Sequence, residues 1–378
     1  MVTKSNGLFF VLVIVWIDSI ASAKPLIHYG RCLVDSKQGN CLPRSQCWQK
    51  DISDNYFERN KCSSVVHEDL MCCTHKTESP INTTSNNTAS NRYTSAPIKL
   101  PPSQVCGIAL LDRIVYGIQA DIREYPWMAL LRYTFDDVEY THGCGGSLIH
   151  ERWVLTAAHC VPREDHTTKR LTQVRLGEWN QTSAPDCQQF RQGPICAPAH
   201  QDVPIDRIII HELYSIYAPM YPNDIALLRL ERAVTFSEYV LPICLPAANN
   251  QETHEYTDHV MDIAGWGNTE TIRFGGSPLK RKTSLRVLSL ASCQRLFADV
   301  VGSQICAGGT TNASSCHGDS GGPLMNLAKN SIGSTSYYLV GIVSLGTQSC
   351  ANHGLPVIFT RVERFVNWIL HKMSTNMN

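Results

Sequence analysis

One short stretch, GDSGGPL at residues 318–324, is the most informative part of the sequence. It places Ser320 in a glycine-rich turn that leads into an apolar run. A serine hydroxyl is a weak nucleophile until an adjacent base takes its proton and a carboxylate orients that base. LTAAHC offers His159 as a base, and NDIALLRL offers Asp224 as the carboxylate. The chain order His, Asp, Ser is one of the orders in which this triad occurs.

Each of these stretches also has an ordinary structural interpretation. The histidine alone fits a packed core position, the aspartate a turn, and the glycines a tight bend. All three occur in the required order in a chain that also carries a secretion signal and many cysteines. Their coincidence favours nucleophilic catalysis.

Composition restricts the class of protein further. The chain has 378 residues, a formal net charge of +0 and 43% hydrophobic residues. This length predicts more than one domain, and the hydrophobic content predicts a real core. Because the charges balance, nothing indicates a nucleic-acid or acidic-membrane partner.

The N-terminus has the features of a secretory signal peptide over residues 1–23. Lys4 precedes an apolar run from Leu8 to Ile17, and the small residues ASA at 21–23 predict the cleavage site. A membrane anchor is the alternative, but the run is short for a bilayer and Asp18 follows it. We therefore expect a secreted protein.

The 16 cysteines fall into two even groups, each able to close its own disulfides. The first group is Cys32, Cys41, Cys47, Cys62, Cys72 and Cys73, and the second runs from Cys106 to Cys350. A zinc site that uses His75 is the alternative for the first group. No CxxC pair supports it, and a secreted chain oxidises its thiols.

The spacing of these groups predicts the domain boundaries. Residues 30–74 form a small domain that needs disulfides because its apolar core is insufficient. Residues 75–113 form a linker and activation segment rich in Ser, Thr, Asn and Pro, with glycosylation sequons at Asn82 and Asn86. Residues 114–378 form the large domain.

The large domain has many short alternating segments, such as WVLTAAH, RIIIHE, DIALLRL and YLVGIVSL. Separated by turn residues, they predict an all-β barrel or sandwich. The C-terminal ERFVNWILHKM is helical in pattern, because Phe365, Trp368, Ile369 and Met373 fall on one face.

On its triad motifs, the region from Ile114 to about residue 372 resembles the trypsin/chymotrypsin serine proteases. The resemblance implies two six-stranded antiparallel β-barrels with a C-terminal helix and an active site between the barrels. It assigns nucleophilic attack to Ser320, general acid–base catalysis to His159, and orientation of the imidazole to Asp224. The backbone N–H groups of Gly318 and Ser320 would form the oxyanion hole.

The same resemblance implies how the second group of cysteines pairs. The expected disulfides are Cys106–Cys244, Cys144–Cys160, Cys293–Cys306 and Cys316–Cys350. Cys187 and Cys196 remain, and they would close a short loop of their own.

LLDRIVYG at residues 110–117 resembles the activation site of this family. Cleavage after Arg113 would free the ammonium of Ile114, which would insert and pair with Asp319. Tyr116 stands where the family usually has Gly. An ordinary strand start with a surface arginine is the alternative.

The N-terminal module resembles the clip domain of arthropod proteases, on its six cysteines and the final pair Cys72 and Cys73. The implied pairing is Cys32–Cys72, Cys41–Cys62 and Cys47–Cys73. The resemblance implies haemolymph and the cascades of melanisation or Toll-type signalling. The expected partners are an upstream protease with basic specificity, a downstream zymogen or cytokine precursor, and a serpin inhibitor.

GEWNQTSAPDC offers Glu178, Asn180 and Asp186, with a main-chain carbonyl at Ser183, as oxygen ligands for structural calcium. The same loop binds calcium in many relatives. A solvated polar loop is the plain alternative. Asn180 is also a glycosylation sequon, and we expect a glycan or calcium there but not both. A further sequon lies at Asn312.

The residues expected in the substrate pocket differ from those of trypsin-like relatives. Ser314 stands where an Asp usually binds a basic side chain, and Gly346 keeps one wall open. Val357 replaces a Gly at the back, and Leu345 replaces a Trp. These residues predict a preference for small or medium apolar residues, resembling elastase; relaxed or weak activity is the alternative.

Together these features predict a secreted serine endopeptidase zymogen of an extracellular arthropod cascade, activated after Arg113. The alternative is a clip protease homologue that binds partners without cutting, although such homologues usually lack the nucleophile. A disulfide-rich matrix protein would not explain the triad.

Overall fold

A computed structural model describes the chain in segments. They are residues 31–34, 37–43, 70–74, 100–101, 105–108, 119–135, 138–140, 143–162, 169–191, 193–247, 256–269, 272, 275–309, 315, 317–329, 333–346 and 355–376. Several predicted features lie outside these segments: the signal peptide, Asn82, Asn86, Arg113, Ile114, Asn312 and Ser314.

Three strands lie within the predicted clip domain. They are β1 (Arg31–Val34), β2 (Lys37–Pro43) and β3 (Leu70–Thr74), and they form one antiparallel sheet in the order β1-β2-β3. The register places Cys41 opposite Cys72. The three predicted clip disulfides depend on side chains outside the described part of the chain, so they stay predictions.

The first half of the large domain is a closed barrel. Its strands, with the hairpin β9–β10, are β4 (Met128–Phe135), β5 (Val138–Tyr140), β6 (Gly145–His150), β7 (Trp153–Thr156), β8 (Arg170–Leu176), β9 (Cys187–Phe190), β10 (Gly193–Cys196), β11 (Gln201–Ile210) and β12 (Ala226–Leu230). The sheet order is β5-β4-β6-β7-β12-β11-β8, and β4 also pairs with β8. That pairing closes six strands, with β5 attached at the edge.

The second half is another six-stranded barrel. Its elements are β13 (Val260–Gly265), β14 (Arg281–Arg286), α1 (Leu290–Leu296), β15 (Gln304–Gly308), β16 (Pro323–Lys329), β17 (Thr335–Leu345), β18 (Pro356–Arg361) and α2 (Val366–Thr375). The order is β14-β13-β16-β17-β18-β15, and a bridge between Val287 and Ala307 joins the two ends. Short 3-10 helices lie at Ala158–Cys160 and Val362–Arg364. The predicted double barrel with a C-terminal helix is confirmed.

Aromatic residues join the two barrels. The Trp127 Nε1–H donates to Met325 Sδ at 3.0 Å, and the Trp127 ring lies against those of Tyr125 and Tyr337. Because Trp127 precedes β4 and Met325 lies in β16, this contact fixes one barrel against the other. Such buried aromatic contacts stabilise the fold by more than the apolar area they bury would account for.

Helix α2 packs as its sequence pattern predicts. Ile369 and Met373 are fully buried, and Phe365 precedes the helix on the same face. Trp368 is half-buried, and its ring lies 5.0 Å from that of His211. Among the described residues, no helix is long and apolar enough to cross a membrane.

Four of the expected disulfides form in the structure: Cys106–Cys244, Cys144–Cys160, Cys187–Cys196 and Cys293–Cys306. The fifth, Cys316–Cys350, lies outside the described residues. Cys106–Cys244 attaches the segment before the predicted activation site to the large domain.

Candidate active site

Strand pairing brings the histidine and the aspartate together. β7 and β12 are antiparallel neighbours, with Thr156 opposite Ala226. The residues after the end of β7 and those before the start of β12 therefore meet at one edge of the barrel. His159, in the 3-10 turn after β7, and Asp224, just before β12, lie at that edge.

The two side chains form a tightly bonded pair. His159 Nδ1 lies 2.7 Å from Asp224 Oδ2, and the His159 backbone N–H donates to Oδ1 at 2.9 Å. Because the carboxylate accepts hydrogen bonds, the Nδ1 position carries the proton and Nε2 is left as the acceptor. This is the tautomer that a general base needs.

The Asp224 carboxylate is 0% exposed, so its charge depends on protein donors. The Ser344 hydroxyl in β17 donates to Oδ2 at 2.6 Å. The Thr360 hydroxyl in β18 donates to the Asp224 main-chain oxygen at 2.7 Å. The second barrel therefore holds the aspartate of the first.

The turn around Ser320 is anchored to both barrels. The Gly145 N–H donates to the Ser320 carbonyl at 2.7 Å, and the Gly321 N–H donates to the Val343 carbonyl at 2.8 Å. Gly321 has φ of 76°, and a Cβ there would lie 2.2 Å from Thr156 Oγ1 and 3.2 Å from Cys160 Sγ. The serine turn therefore packs directly on the segment that carries His159.

Gly318 is required for two separate reasons. Its φ of 99° lies in the region that favours glycine, and a Cβ there would lie 3.0 Å from the Gly267 Cα. The neighbouring backbone is tied down, because the Asn268 N–H donates to the His317 carbonyl at 2.7 Å. This bond holds the residue before Gly318 against the loop at Asn268.

The Asp319 carboxylate lies in a cradle formed by Gly265 and Gly267. The Gly267 N–H donates to Asp319 Oδ1 at 2.9 Å. A Cβ at Gly265 would lie 2.2 Å from the same oxygen. The predicted partner of this carboxylate, the Ile114 ammonium, lies outside the described residues.

The expected pocket residues that the structure describes lie on and beside β17 and β18. Val357 is buried in the second-barrel core and pairs with Ala307 in β15. Gly346 is exposed, and a Cβ there would lie 3.8 Å from the Oγ of the buried Ser315. Leu345 is half-buried and packs on the apolar cluster around Cys293 and Ile358.

In the loop at residues 178–186, the Trp179 N–H donates to Glu178 Oε1 at 3.0 Å and to Asp186 Oδ2 at 2.9 Å. Both carboxylates are buried. Burial and then the neighbouring Asp186 raise the pKa of Glu178, although a hydrogen bond from Arg175 opposes the shift. Asn180 turns its side-chain oxygen to the hydroxyl of Thr182 at 2.8 Å. Two buried carboxylates therefore lie together in this loop, with the Arg175 guanidinium paired to one of them.

Ser344 and Thr360 support Asp224, and neither was predicted from the sequence. Both are small hydroxyl residues inside otherwise apolar strands, at positions that the structure buries. A buried hydroxyl needs a partner, so a polar residue in an apolar strand was the available signal.

Two closed barrels that place a buried aspartate, a histidine and a serine turn at their interface define a chymotrypsin-like serine endopeptidase. A family model described as Trypsin matches residues 114–369. The chain is 37% identical to Serine protease ea of Drosophila melanogaster, covering 90% of each protein. It is 38% identical to the Spaetzle-processing enzyme of the same species, covering 83% of this chain and 80% of that protein.

A solved structure, that of the Drosophila Grass clip serine protease of the Toll pathway, is also similar. It has a TM-score of 0.63 and 30% identity, covering 92% of this chain and 98% of that one. The chain is a serine endopeptidase that belongs to the trypsin family and, within it, to the clip-domain serine proteases of insects.

The close packing of Gly321 gives a direct test of the serine turn. We expect Gly321→Ala to lower kcat/KM by about 100-fold, because a displaced nucleophile loses its alignment. Overpacking should also lower stability by about 2 kcal/mol. Steady-state kinetics and thermal unfolding measure both effects.

Gly302→Ala is the matched control, since nothing lies within 4 Å of a Cβ at that position. It should leave kcat/KM and the melting temperature nearly unchanged. Full activity of Gly321→Ala would contradict the packing argument.

Proposed function

We propose that this chain is a secreted serine endopeptidase zymogen that acts in an extracellular proteolytic cascade through His159, Asp224 and Ser320. The observation that carries the proposal is the fully buried Asp224, whose Oδ2 lies 2.7 Å from His159 Nδ1. Burying a carboxylate costs desolvation free energy. In a catalytic triad the buried carboxylate orients the imidazole and stabilises its protonated form, which accounts for that cost.

In this mechanism Ser320 Oγ attacks the scissile carbonyl while His159 Nε2 takes its proton. The N–H groups of Gly318 and Ser320 stabilise the oxyanion, and Asp224 stabilises the imidazolium. His159 then gives the proton to the leaving amine, which departs and leaves an acyl-enzyme. Water, activated by the same histidine, hydrolyses the ester and regenerates Ser320.

The proposed role in a cascade is supported by the names of similar proteins. One is a Spaetzle-processing enzyme, one is Melanization protease 1 of Drosophila, 38% identical, and the solved neighbour is assigned to the Toll pathway. We propose that this chain is likewise cut by an upstream protease of basic specificity in haemolymph. Its target would be a downstream zymogen or cytokine precursor, and its inhibitor a serpin.

Activation would proceed by cleavage after Arg113. The Ile114 ammonium would then reach Asp319, whose carboxylate already lies in the glycine cradle of Gly265 and Gly267. A buried ammonium needs an anionic partner, so the pairing would couple cleavage to order in the backbone at Gly318.

Activity-based labelling tests the zymogen and the nucleophile together. We expect a fluorophosphonate probe to label the full-length chain only after cleavage at Arg113, because the oxyanion hole then forms. Arg113→Gln should resist cleavage and stay unlabelled, and Ser320→Ala should be cleaved but unlabelled. If the cleaved wild-type chain took up no probe, the non-catalytic binding role would be favoured instead.

We further propose that the primary pocket favours small or medium apolar residues. Ser314 offers no charge to a basic substrate, which would forgo a charge-assisted bond of about 1.5–3 kcal/mol. Val357 has a branched side chain at a buried position of β18. That volume supports a shallow pocket that large aromatic residues would not enter.

A peptide panel on the cleaved enzyme tests this pocket. We expect turnover after Ala or Val to exceed turnover after Arg by at least about tenfold, the equivalent of one lost charged bond. Val357→Gly should raise turnover after Phe relative to Ala, with the melting temperature recorded as a control for packing loss. Preferential turnover after Arg would contradict the proposed preference for small or medium apolar residues.

A structural calcium ion is proposed for the loop at residues 178–186. The donor set fits a hard cation, since Glu178 and Asp186 are buried carboxylates that share the Trp179 N–H and Asp186 helps to raise the pKa of Glu178. Asn180 and the main-chain carbonyl of Ser183 would contribute further oxygens. Calcium would have to replace the hydrogen bonds that the Asn180 oxygens now accept, from Thr182 at the side chain and from the Ser183 N–H at the main chain. Bound calcium would neutralise the acidic pair and stabilise the loop.

Thermal unfolding tests the calcium proposal. At a hundredfold excess over Kd, calcium should raise Tm by about 5 °C relative to EDTA. Glu178→Gln should abolish the shift, and the exposed Glu231→Gln should preserve it. If mass spectrometry finds a glycan on Asn180 and calcium does not raise Tm, glycosylation of this loop is favoured over calcium binding.

The pH dependence follows from the raised pKa of Glu178. Without calcium, the folded state binds more protons than the unfolded state from about pH 4.3 up to the raised value. Its stability should therefore fall as pH rises through that window, and the calcium-induced shift should grow over the same window. A calcium shift that does not depend on pH would exclude Glu178 as a ligand.

A further inference from the structure

The segment just before Asp224 has an unusual backbone. Met220, Tyr221 and Asn223 have φ values of 56°, 49° and 61°, and none of them is glycine. Left-handed backbone is unfavourable for residues with a Cβ, so it persists only where the surroundings hold it. Because Asp224 is the next residue, whatever holds this segment also sets the position of the aspartate.

A buried glutamine of the second barrel holds the upstream end of the segment. Gln304, the first residue of β15, is 1% exposed. Its Nε2 donates to the Met220 carbonyl at 2.6 Å, and its Oε1 accepts the Val301 N–H at 3.1 Å. Since the Val301 N–H can only donate and the Met220 carbonyl can only accept, the orientation of the Gln304 side-chain amide is fixed.

The strand pair β15–β18 also connects Gln304 to the aspartate. Gln304 lies opposite Thr360 in the β15–β18 register. Thr360 donates to the Asp224 main-chain oxygen at 2.7 Å. Two neighbouring side chains of the second barrel therefore hold the two ends of the segment from Met220 to Asp224.

Packing supports the same attachment. Met220 lies on the apolar cluster of the second barrel formed by Cys293, Val300, Cys306 and Ile358. Its side chain and its carbonyl are thus both engaged by the barrel opposite the one that contains β12. The Asn223 carbonyl accepts the Ile225 N–H at 2.9 Å, which closes a tight turn just before β12.

We propose that Gln304 is a positioning residue for the His159–Asp224 pair, acting through its hydrogen bond to the Met220 carbonyl. It fixes the left-handed turn, and the turn fixes the angle at which the Asp224 carboxylate meets the imidazole. This inference rests on the proposed catalytic roles of His159 and Asp224. Gln304 itself does not touch the substrate.

Gln304→Met in the full-length chain, cleaved after Arg113, is the primary test. It keeps the side-chain volume and removes both amide hydrogen bonds. We expect kcat to fall about tenfold with KM within about twofold, because alignment of the base is lost while the substrate surface is kept. Gln304→Glu should give a similar fall at neutral pH, since it keeps the acceptor for Val301 and loses the donor.

Gln294→Met is the control, an exposed glutamine near the same barrel cluster. Gln294 Nε2 donates to the Val300 carbonyl at 2.9 Å, close in sequence to Val301 but without a bond to the segment before Asp224. It should lower Tm to some extent and leave kcat unchanged. A merely structural role for Gln304 would lower the Tm of Gln304→Met and leave the kcat of the folded, cleaved enzyme unchanged.

Two further readouts separate positioning from general destabilisation. The low-field proton resonance of the His159 Nδ1–H hydrogen bond should shift or broaden in Gln304→Met and stay in place in Gln294→Met. The loss in kcat for Gln304→Met combined with Thr360→Val should be smaller than the product of the single losses, because both hold one segment. Unchanged kcat and resonance in Gln304→Met would overturn the inference.

These outcomes are distinct from failure of the proposed function. A cleaved wild-type chain that neither turns over substrate nor takes up the fluorophosphonate probe would refute the catalytic proposal itself. An active, labelled wild type with an equally active Gln304→Met would refute only the role of Gln304.

Discussion

The buried carboxylate of Asp224 is the constraint around which the two barrels are organised. A charge with no exposure to water must be compensated by hydrogen bonds, each worth about 1.5–3 kcal/mol when the acceptor is ionised. The first barrel supplies the His159 imidazole and backbone N–H, and the second supplies the Ser344 hydroxyl. Neither barrel alone supplies all the hydrogen bonds that the Asp224 carboxylate accepts. Docking of the barrels and assembly of the site are therefore one event.

Close backbone approach is the second requirement, and glycine supplies it on the serine side. Gly318 and Gly321 have positive φ and no room for a Cβ, while Gly265 and Gly267 make space for the Asp319 carboxylate. On the aspartate side the solution differs. Met220, Tyr221 and Asn223 are left-handed without being glycine, so side chains of the second barrel must hold them. The serine turn relies on local sequence, and the aspartate turn relies on tertiary contacts.

Much of the architecture was predictable because its signals are local. Alternating strands such as DIALLRL predicted an all-β domain, and ERFVNWILHKM predicted the face of α2 that buries Ile369 and Met373. Ser344, Thr360 and Gln304 were not anticipated, because each acts across a sequence separation of 84 to 136 residues. A polar residue in an apolar strand shows that a partner is needed, but periodicity does not reveal which one.

The sequence by itself determined the chemistry available to this protein: a serine in a glycine-rich turn, a histidine and an aspartate in a known order, and cysteines suited to a secreted chain. Residue type and short-range pattern suffice for that, since motifs are read within a few residues. Only the tertiary structure decided which groups compensate the Asp224 charge and which carbonyl Gln304 reaches. Hydrogen bonds between barrels depend on strand register and docking, and these are fixed only when the whole core packs.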